Sequence, residues 1–215
     1  MTAVPIRAVL LMLLAMTCVP GGDAAGKLLM QDFGASPLFV GFARFALGAL
    51  IFLAGLLILR RPVRWQVWRD PRLWLRGLLI GGGVGCIVTA LQTEPLANTF
   101  GAFFVGPILS YLLSAWLLKE SISPARTVLL LIGFASVLLV IRPGFGMTPG
   151  LALAALAGIF YGAYLTASRW VKDAASPEEL LLTQLVVAML VLLPLGGGDW
   201  PPMTALSLAL IFASA

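Results

Sequence analysis

The stretch SPLFVGFARFALGALIFLAGLLILRRPVR, residues 36–64, decides the fold class. Ser36 can cap a helix that begins at Pro37, where the missing proline N–H costs nothing. Beyond Pro37 the chain carries one charge, Arg44, before it reaches the basic pair Arg60-Arg61. Because a transmembrane helix needs about 20 mostly apolar residues, this stretch predicts one membrane span with a basic end.

The rest of the chain has the same character. Of its 215 residues, 60% are hydrophobic and 11% are charged, whereas about 25% are charged in soluble domains. Charge-free runs recur along its length, over residues 8–22, 45–59, 77–93, 95–118, 127–141, 143–168, 180–198 and 200–215. This pattern excludes a soluble domain and a disordered chain. Its lack of polar–apolar alternation excludes an outer-membrane barrel.

Prolines divide the apolar runs into helices, because proline suits the first helical position and several here follow a capping residue such as Asp70 or Ser176. Eight helices are predicted, over residues 6–30, 37–59, 72–92, 95–118, 124–141, 149–171, 177–195 and 201–215. The predicted fold is an all-α integral membrane protein, a multi-pass helical bundle with seven full spans and part of an eighth. Pro20 and Pro107 lie inside predicted helices, and each is interpreted as a hinge or as a static kink.

The positive-inside rule orients the bundle. With the N-terminus in the cytoplasm, eleven basic residues fall in cytoplasmic segments: Arg7, Arg60, Arg61, Arg64, Arg69, Arg72, Arg76, Lys119, Arg126, Arg169 and Lys172. One, Arg142, falls in an outer segment, and Lys27 and Arg44 fall within spans. The chain is therefore predicted to be a multi-pass protein of the bacterial inner membrane with a cytoplasmic N-terminus. The same asymmetry accounts for the net charge of +5 without a nucleic-acid partner.

The chain contains no histidine. This excludes His-containing metal sites, His-ligated haem and a Ser–His intramembrane protease. The sequence also offers no cluster of acids for a metal and no nucleophile beside a base. We therefore expect neither an enzyme nor a protein with a metal or a cofactor. Cys18 and Cys86 lie in apolar runs and predict no disulfide.

An internal repeat is visible in the sequence. With a shift of 140 residues, Ser36-Pro37 falls on Ser176-Pro177 and Arg44 falls on Gln184. A repeat of five helices crosses the membrane an odd number of times, so its second copy would enter the membrane from the opposite side, as in many transporters. This interpretation divides the chain into a first five-helix repeat, residues 1–145, and an incomplete second repeat, residues 146–215. The alternative is that two apolar hairpins with Ser-Pro starts align by chance.

Residues 91–172 then resemble the EamA-type branch of the drug/metabolite transporter superfamily. The resemblance rests on Pro107 in the middle of the fourth helix, on the ending Leu117-Leu118-Lys119-Glu120, and on Gly133 through Arg142-Pro143-Gly144. Lys27 and Arg44 also lie where that family tends to carry basic residues. Lys119 departs from the pattern, because the family usually has glycine before the glutamate.

The resemblance implies ten helices in two inverted halves and a secondary transporter that works by alternating access. The expected substrate is a small polar or amphiphilic metabolite, with an anionic metabolite that carries a carboxylate or phosphate as the more specific alternative. The direction of transport and the coupling ion are open. The chain stops at Ala215, inside the eighth predicted helix. Two expectations follow: the sequence is a fragment, or it is a natural truncation. The alternative function is accordingly a non-transporting remnant or a structural membrane subunit.

Ionisable residues within predicted spans are candidates for substrate binding, because a charge in a span is costly. Asp23 and Lys27 are four residues apart on the first helix, and Arg44 lies eight residues after Ser36. Asp23 lies eight residues before Gln31, where the first helix should emerge, so at 1.5 Å per residue Asp23 and Arg44 both lie about 12 Å below the outer surface and can face each other. The alternatives are a purely structural pair with Lys27 reaching the surface, or a first helix that ends at Pro20 and leaves Asp23 in a loop.

Tyr161, Tyr164 and Gln184 are further candidates for lining a substrate cavity, because polar groups within spans need partners in the bundle interior. Ordinary hydrogen bonding between helices is the alternative. Gly81-x-x-x-Gly85 predicts close helix packing, and a homodimer through such a face is left open. Glu94 is interpreted as a gate or as a solvated helix start. The expected partners are the lipid bilayer and a small-molecule substrate.

Overall fold

The structure is a computed structural model that describes residues 6–119, 121, 123–141 and 148–215. These residues form nine α-helices: α1 (Ile6–Phe33), α2 (Pro37–Ile58), α3 (Pro71–Thr93), α4 (Leu96–Phe103), α5 (Val105–Leu117), α6 (Pro124–Ile141), α7 (Pro149–Trp170), α8 (Pro177–Gly196) and α9 (Ala205–Ser214). A short 3₁₀ helix, Trp65–Arg69, precedes α3. The predicted all-helical fold is confirmed.

The predicted capping residues set the helix starts. The Ser36 side chain accepts a hydrogen bond from the Phe39 amide at 3.1 Å, and the Thr148 hydroxyl accepts one from Leu151 at 3.1 Å. Ser176 and Glu179 form a reciprocal capping box at the start of α8. In each case the side chain satisfies an N–H that the helix itself leaves unpaired.

Six spans of the described chain are long and apolar enough to cross a membrane: Val9–Phe33, Pro37–Ile58, Pro71–Thr93, Leu96–Leu117, Pro149–Trp170 and Pro177–Gly196. The described apolar parts of α6 and α9 are shorter, Pro124–Ser136 and Ala205–Ser214. A multi-pass membrane protein is therefore shown, whereas α6 as a seventh full span stays a prediction.

The two interior prolines have different effects. The single helix predicted over residues 95–118 is divided at Phe104, which lies between α4 and α5. Pro107 explains the division, because it has no N–H to donate to the Phe103 carbonyl one turn earlier. Pro20, in contrast, lies within α1, which continues to Phe33. The interpretation that ended the first helix at Pro20 is therefore wrong.

Glycines set how closely the helices pack. Helix α7 packs against α3, α4 and α5, and α3 also packs against α8. A Cβ added to Gly158 would lie 2.5 Å from the Phe103 carbonyl oxygen, and one added to Gly162 would lie 2.5 Å from that of Gly106. The backbones of α7 and the α4–α5 pair therefore touch with no room for a side chain.

The Gly81-x-x-x-Gly85 pattern lies in the α3–α8 interface. A Cβ on Gly81 would lie 3.1 Å from the Ala188 backbone, and one on Gly85 would lie 3.2 Å from the Leu192 side chain. The packing interpretation is confirmed. Since α8 of the same chain covers this face, a homodimer would have to use another surface.

The bundle has one end that is rich in arginine, which we call the basic end. It comprises the 3₁₀ helix, the start of α3, the ends of α5 and α7, and the start of α8. Arg64 joins these parts by donating to both carboxylate oxygens of Glu179, at 3.0 and 2.8 Å. The opposite end contains the end of α1 and the starts of α2, α4 and α7, and there Phe39 packs on Trp200 with ring centroids 5.2 Å apart.

Candidate functional site

The structure brings Asp23 of α1 into contact with Arg44 of α2. Arg44 Nη1 donates to Asp23 Oδ1 at 2.7 Å, and Arg44 Nη2 donates to the Gly22 carbonyl at 3.2 Å. The Arg44 side chain is 17% exposed and the Asp23 side chain is 6% exposed, so the ion pair lies inside the bundle. This contact across the hairpin is the one that the depths of the two residues indicated.

Lys27 lies one turn along α1 from Asp23. Its ammonium donates to the Glu94 backbone carbonyl at 2.5 Å, which links α1 to the connection between α3 and α4. Within the described part of the chain, Lys27 makes no ion pair with a carboxylate. Asp23, Lys27 and Arg44, which we call the α1–α2 cluster, therefore hold two cations and one carboxylate, a net charge of 2 − 1 = +1.

Glu94 is buried, with 9% of its surface exposed, so its interpretation as a solvated helix start is wrong. The Thr148 hydroxyl donates a hydrogen bond to Glu94 Oε1, and Thr148 is also the cap of α7. A carboxylate beside a helix N-terminus is favourable there because it meets the positive end of the helix dipole. Glu94 therefore ties the end of α3 to the start of α7.

Three of the candidate polar residues lie together between α7 and α8. The Tyr164 hydroxyl donates to Gln184 Oε1 at 2.8 Å. Tyr161 stacks on Tyr164 with ring centroids 5.9 Å apart, and its other neighbour is Phe103, with centroids 5.0 Å apart. The described contacts link this group to Arg76 of α3 rather than to Arg44.

Arg76 is the residue that the sequence analysis missed. Its guanidinium donates to the Ser168 hydroxyl at 2.8 Å, to the Leu180 carbonyl at 2.7 Å, and to Gln184 Oε1 at 2.7 Å. It also donates to the Tyr164 hydroxyl at 3.3 Å and lies 5.2 Å from the centre of that ring. All these acceptors are neutral, so the side chain, 8% exposed, holds a buried cation that no described carboxylate compensates.

The signal for Arg76 was present in the sequence. The residue was counted among the charges of the cytoplasmic segments, although it lies inside the helix predicted over residues 72–92. It is five residues beyond Pro71, a depth of about 7 Å at 1.5 Å per residue. The depth argument that singled out Arg44 would have singled out Arg76 as well.

Arg76→Met is expected to destabilise the protein. Methionine keeps the apolar stem but removes four hydrogen bonds, and each buried acceptor left without a donor costs about 1–3 kcal/mol. The thermal midpoint of the detergent-solubilised protein should fall, whereas Arg69→Met, an exposed change in the 3₁₀ helix, should leave it unchanged. A midpoint that rises in Arg76→Met would show instead that the cost of burying the guanidinium exceeds its hydrogen bonds.

The two prolines predicted as hinges lie beside these groups. Pro20 is three residues before Asp23 in α1, and Pro107 is three residues after the division at Phe104. Neither position by itself establishes motion, so the hinge role of both stays a prediction.

The apolar spans, with buried charges between them, define the class: a polytopic membrane protein. Residues 6–142 match the model of the EamA-like transporter family. The match covers well over half of the chain, and the chain therefore belongs to the EamA-like transporter family.

The fold is also that of a known structure. A solved structure described as the crystal structure of a protein is 24% identical in sequence and superposes with a TM-score of 0.62. The match covers 92% of this chain and 72% of that one. At this identity the likeness concerns the fold alone. No curated protein matches the chain in sequence.

Proposed function

We propose that the protein is an alternating-access transporter of the inner membrane for a small polar or amphiphilic metabolite that carries a carboxylate or a phosphate. Membership of the EamA-like transporter family supports transport across a membrane. The α1–α2 cluster supports the anionic substrate, because its three charges sum to +1, its Asp23–Arg44 pair lies inside the bundle, and Lys27 beside it is half-buried.

Lys27 is the residue through which the cluster would recognise the substrate. Arg44 is already paired with Asp23, whereas among the described contacts the ammonium of Lys27 has a backbone carbonyl as its one acceptor. A carboxylate or phosphate that replaced this carbonyl would give the Lys27 ammonium an oppositely charged acceptor in place of a neutral one. Tyr161, Tyr164 and Gln184 would line the path between this cluster and the basic end.

The inverted repeat predicted from the sequence would support alternating access, because such repeats exchange two packing arrangements around a central site. A shift of 140 residues places Arg44 on Gln184, and a shift of 141 residues places Asp23 on Tyr164. Both pairs close a hairpin by a hydrogen bond, at 2.7 Å in α1–α2 and at 2.8 Å in α7–α8. Helix α1 packs on α9 and α7 packs on α3, which are equivalent pairs under the repeat.

The basic end is assigned to the cytoplasm in this proposal. Arg60, Arg61 and Arg69 lie exposed at that end, and segments rich in arginine and lysine remain on the cytoplasmic side during membrane insertion. The α1–α2 cluster is then nearer to the outer side, and the Arg76 group is nearer to the cytoplasm.

Lys27→Gln is expected to reduce transport of anions selectively. A hydrogen bond to a charged group contributes about 1.5–3 kcal/mol, so uptake of a carboxylate should fall about tenfold or more. The measurement is uptake of radiolabelled small carboxylic acids, phosphate monoesters and the corresponding primary amides into proteoliposomes. Uptake of the amides should change little.

Lys172→Gln is the matched control, because it removes an exposed lysine of the basic end that has no described ion pair. It should leave uptake of all three solute classes unchanged. Equal loss of carboxylate and amide uptake in Lys27→Gln would contradict anion recognition by Lys27. Carboxylate uptake that is unaffected by Lys27→Gln would contradict it as well.

A further inference from the structure

A groove lies between α3, α5 and α7 at the basic end, away from the α1–α2 cluster. Its volume is about 540 Å³, within the range of about 300–1,000 Å³ that is common for ligand pockets. It is lined by Leu75, Leu79, Leu113, Leu117, Leu118, Ala163, Thr166, Ala167 and Trp170. The groove lies where three of the apolar spans approach their ends, so it opens at the depth of one membrane leaflet.

Apart from the indole N–H of Trp170, the lining of the groove leaves no free polar group for a ligand. The one hydroxyl, that of Thr166, already donates to the Gly162 carbonyl at 3.0 Å in its own helix. All other lining side chains are leucine, alanine or tryptophan. The part of a ligand that enters the groove must therefore be hydrocarbon, and its polar part must lie at the rim.

The rim carries the cations Arg72 and Lys119 together with the carboxylate of Asp70, which is paired with Arg72. The Arg72 guanidinium carbon lies 5.6 Å from the ring centre of Trp170, which lines the groove. Arg72 donates to Asp70 through Nε and Nη2, and among the described contacts its Nη1 has no partner. Lys119 directly follows the lining residue Leu118, is exposed, and forms no ion pair within the described residues. The carboxylate of Asp173, which follows α7 and is exposed, adds a negative charge at this end of the helix.

We propose that this groove binds one acyl chain of an anionic phospholipid, with the lipid phosphate at Arg72 and Lys119. An acyl chain matches the hydrocarbon lining, and a negatively charged headgroup matches the cations above it. Basic pockets between transmembrane helices at the cytoplasmic side bind anionic headgroups in this way. Trp170, about half exposed, lies at the boundary where an indole ring is most stable in a bilayer. The site is independent of the proposed substrate.

The test measures lipid binding to the purified full chain. The protein is delipidated in detergent and titrated with phosphatidylglycerol or with phosphatidylcholine, and bound lipid is counted by native mass spectrometry. We expect phosphatidylglycerol to bind about tenfold more tightly than phosphatidylcholine. The double variant Arg72→Gln/Lys119→Gln should remove this preference, whereas Arg61→Gln, which removes an exposed charge of the same end, should keep it.

A second pair of variants tests the groove itself. Ala163→Phe fills the groove from α7, and Leu117→Trp narrows it from α5 where the side chain is already exposed, so at least one of them should fold. Each should abolish tight binding of phosphatidylglycerol. Ile51→Phe, on an exposed face of α2, should not. Equal affinity for the two lipids, or tight binding that survives either filled groove in a folded protein, would overturn the proposal.

Discussion

Gly158→Leu is expected to prevent the chain from folding, and Gly158→Ala to lower its stability by about 1–3 kcal/mol or more. The Cβ of either residue would lie 2.5 Å from the Phe103 carbonyl oxygen, closer than atoms can pack. The atom in the way belongs to the backbone, so no side chain can turn aside to make room. Helix α7 would have to separate from α4 and α5, and α7 also carries Tyr161 and Tyr164.

Two properties of the protein in detergent are measured: its thermal midpoint, and its monodispersity by size-exclusion chromatography. Gly55→Ala and Gly55→Leu are matched controls, because Gly55 is also helical and has nothing within 4 Å of an added Cβ. Neither should lower the native midpoint, and alanine should raise it slightly through helix propensity. Equal midpoints for Gly158→Ala and Gly55→Ala would show that the α4–α5–α7 contact does not limit stability.

Asp23→Asn is expected to have the second largest effect. It leaves the buried guanidinium of Arg44 without its carboxylate, and breaking a buried ion pair from one side costs about 3–5 kcal/mol. Arg44→Gln alone should cost a similar amount, since it leaves Asp23 buried and unpaired. The double variant Asp23→Asn/Arg44→Gln, in which two neutral groups can hydrogen-bond, should recover much of the lost stability.

This double-mutant cycle also separates a structural role from a functional one. If the pair belongs to the substrate site, the folded double variant should transport the carboxylates poorly. If Asp23 and Arg44 only hold α1 to α2, the double variant should fold and transport as the unaltered protein does. That second outcome would remove both residues from the proposed site while leaving Lys27 to be tested separately.

Much of the fold follows from local rules. Ser36, Thr148 and Ser176 fix helix starts because each satisfies a free N–H at a position where proline begins the helix. These signals act within four residues, so they can be seen in a sequence. The division at Phe104 is less visible in the sequence, because a proline such as Pro107 can either bend a helix or break it.

The candidate site was only partly predictable, for a physical reason. Depth along a helix can be counted, and it correctly brought Asp23 to the level of Arg44. Which neighbouring helix a side chain faces depends on packing between distant segments, so Tyr164 and Gln184 could not be assigned to Arg76. Arg76 itself was missed because the positive-inside rule counts charges near helix ends without asking whether they are buried.

The central claim is alternating-access transport of an anionic metabolite, and counterflow tests it most directly. Proteoliposomes that contain the protein are loaded with an unlabelled small carboxylic acid and diluted into a trace of the same acid in labelled form. The account predicts transient accumulation of label above equilibrium, absent for the corresponding amide and strongly reduced in Lys27→Gln. Label that only equilibrates at the rate of empty liposomes, across the panel of carboxylates and phosphate esters, would contradict the account.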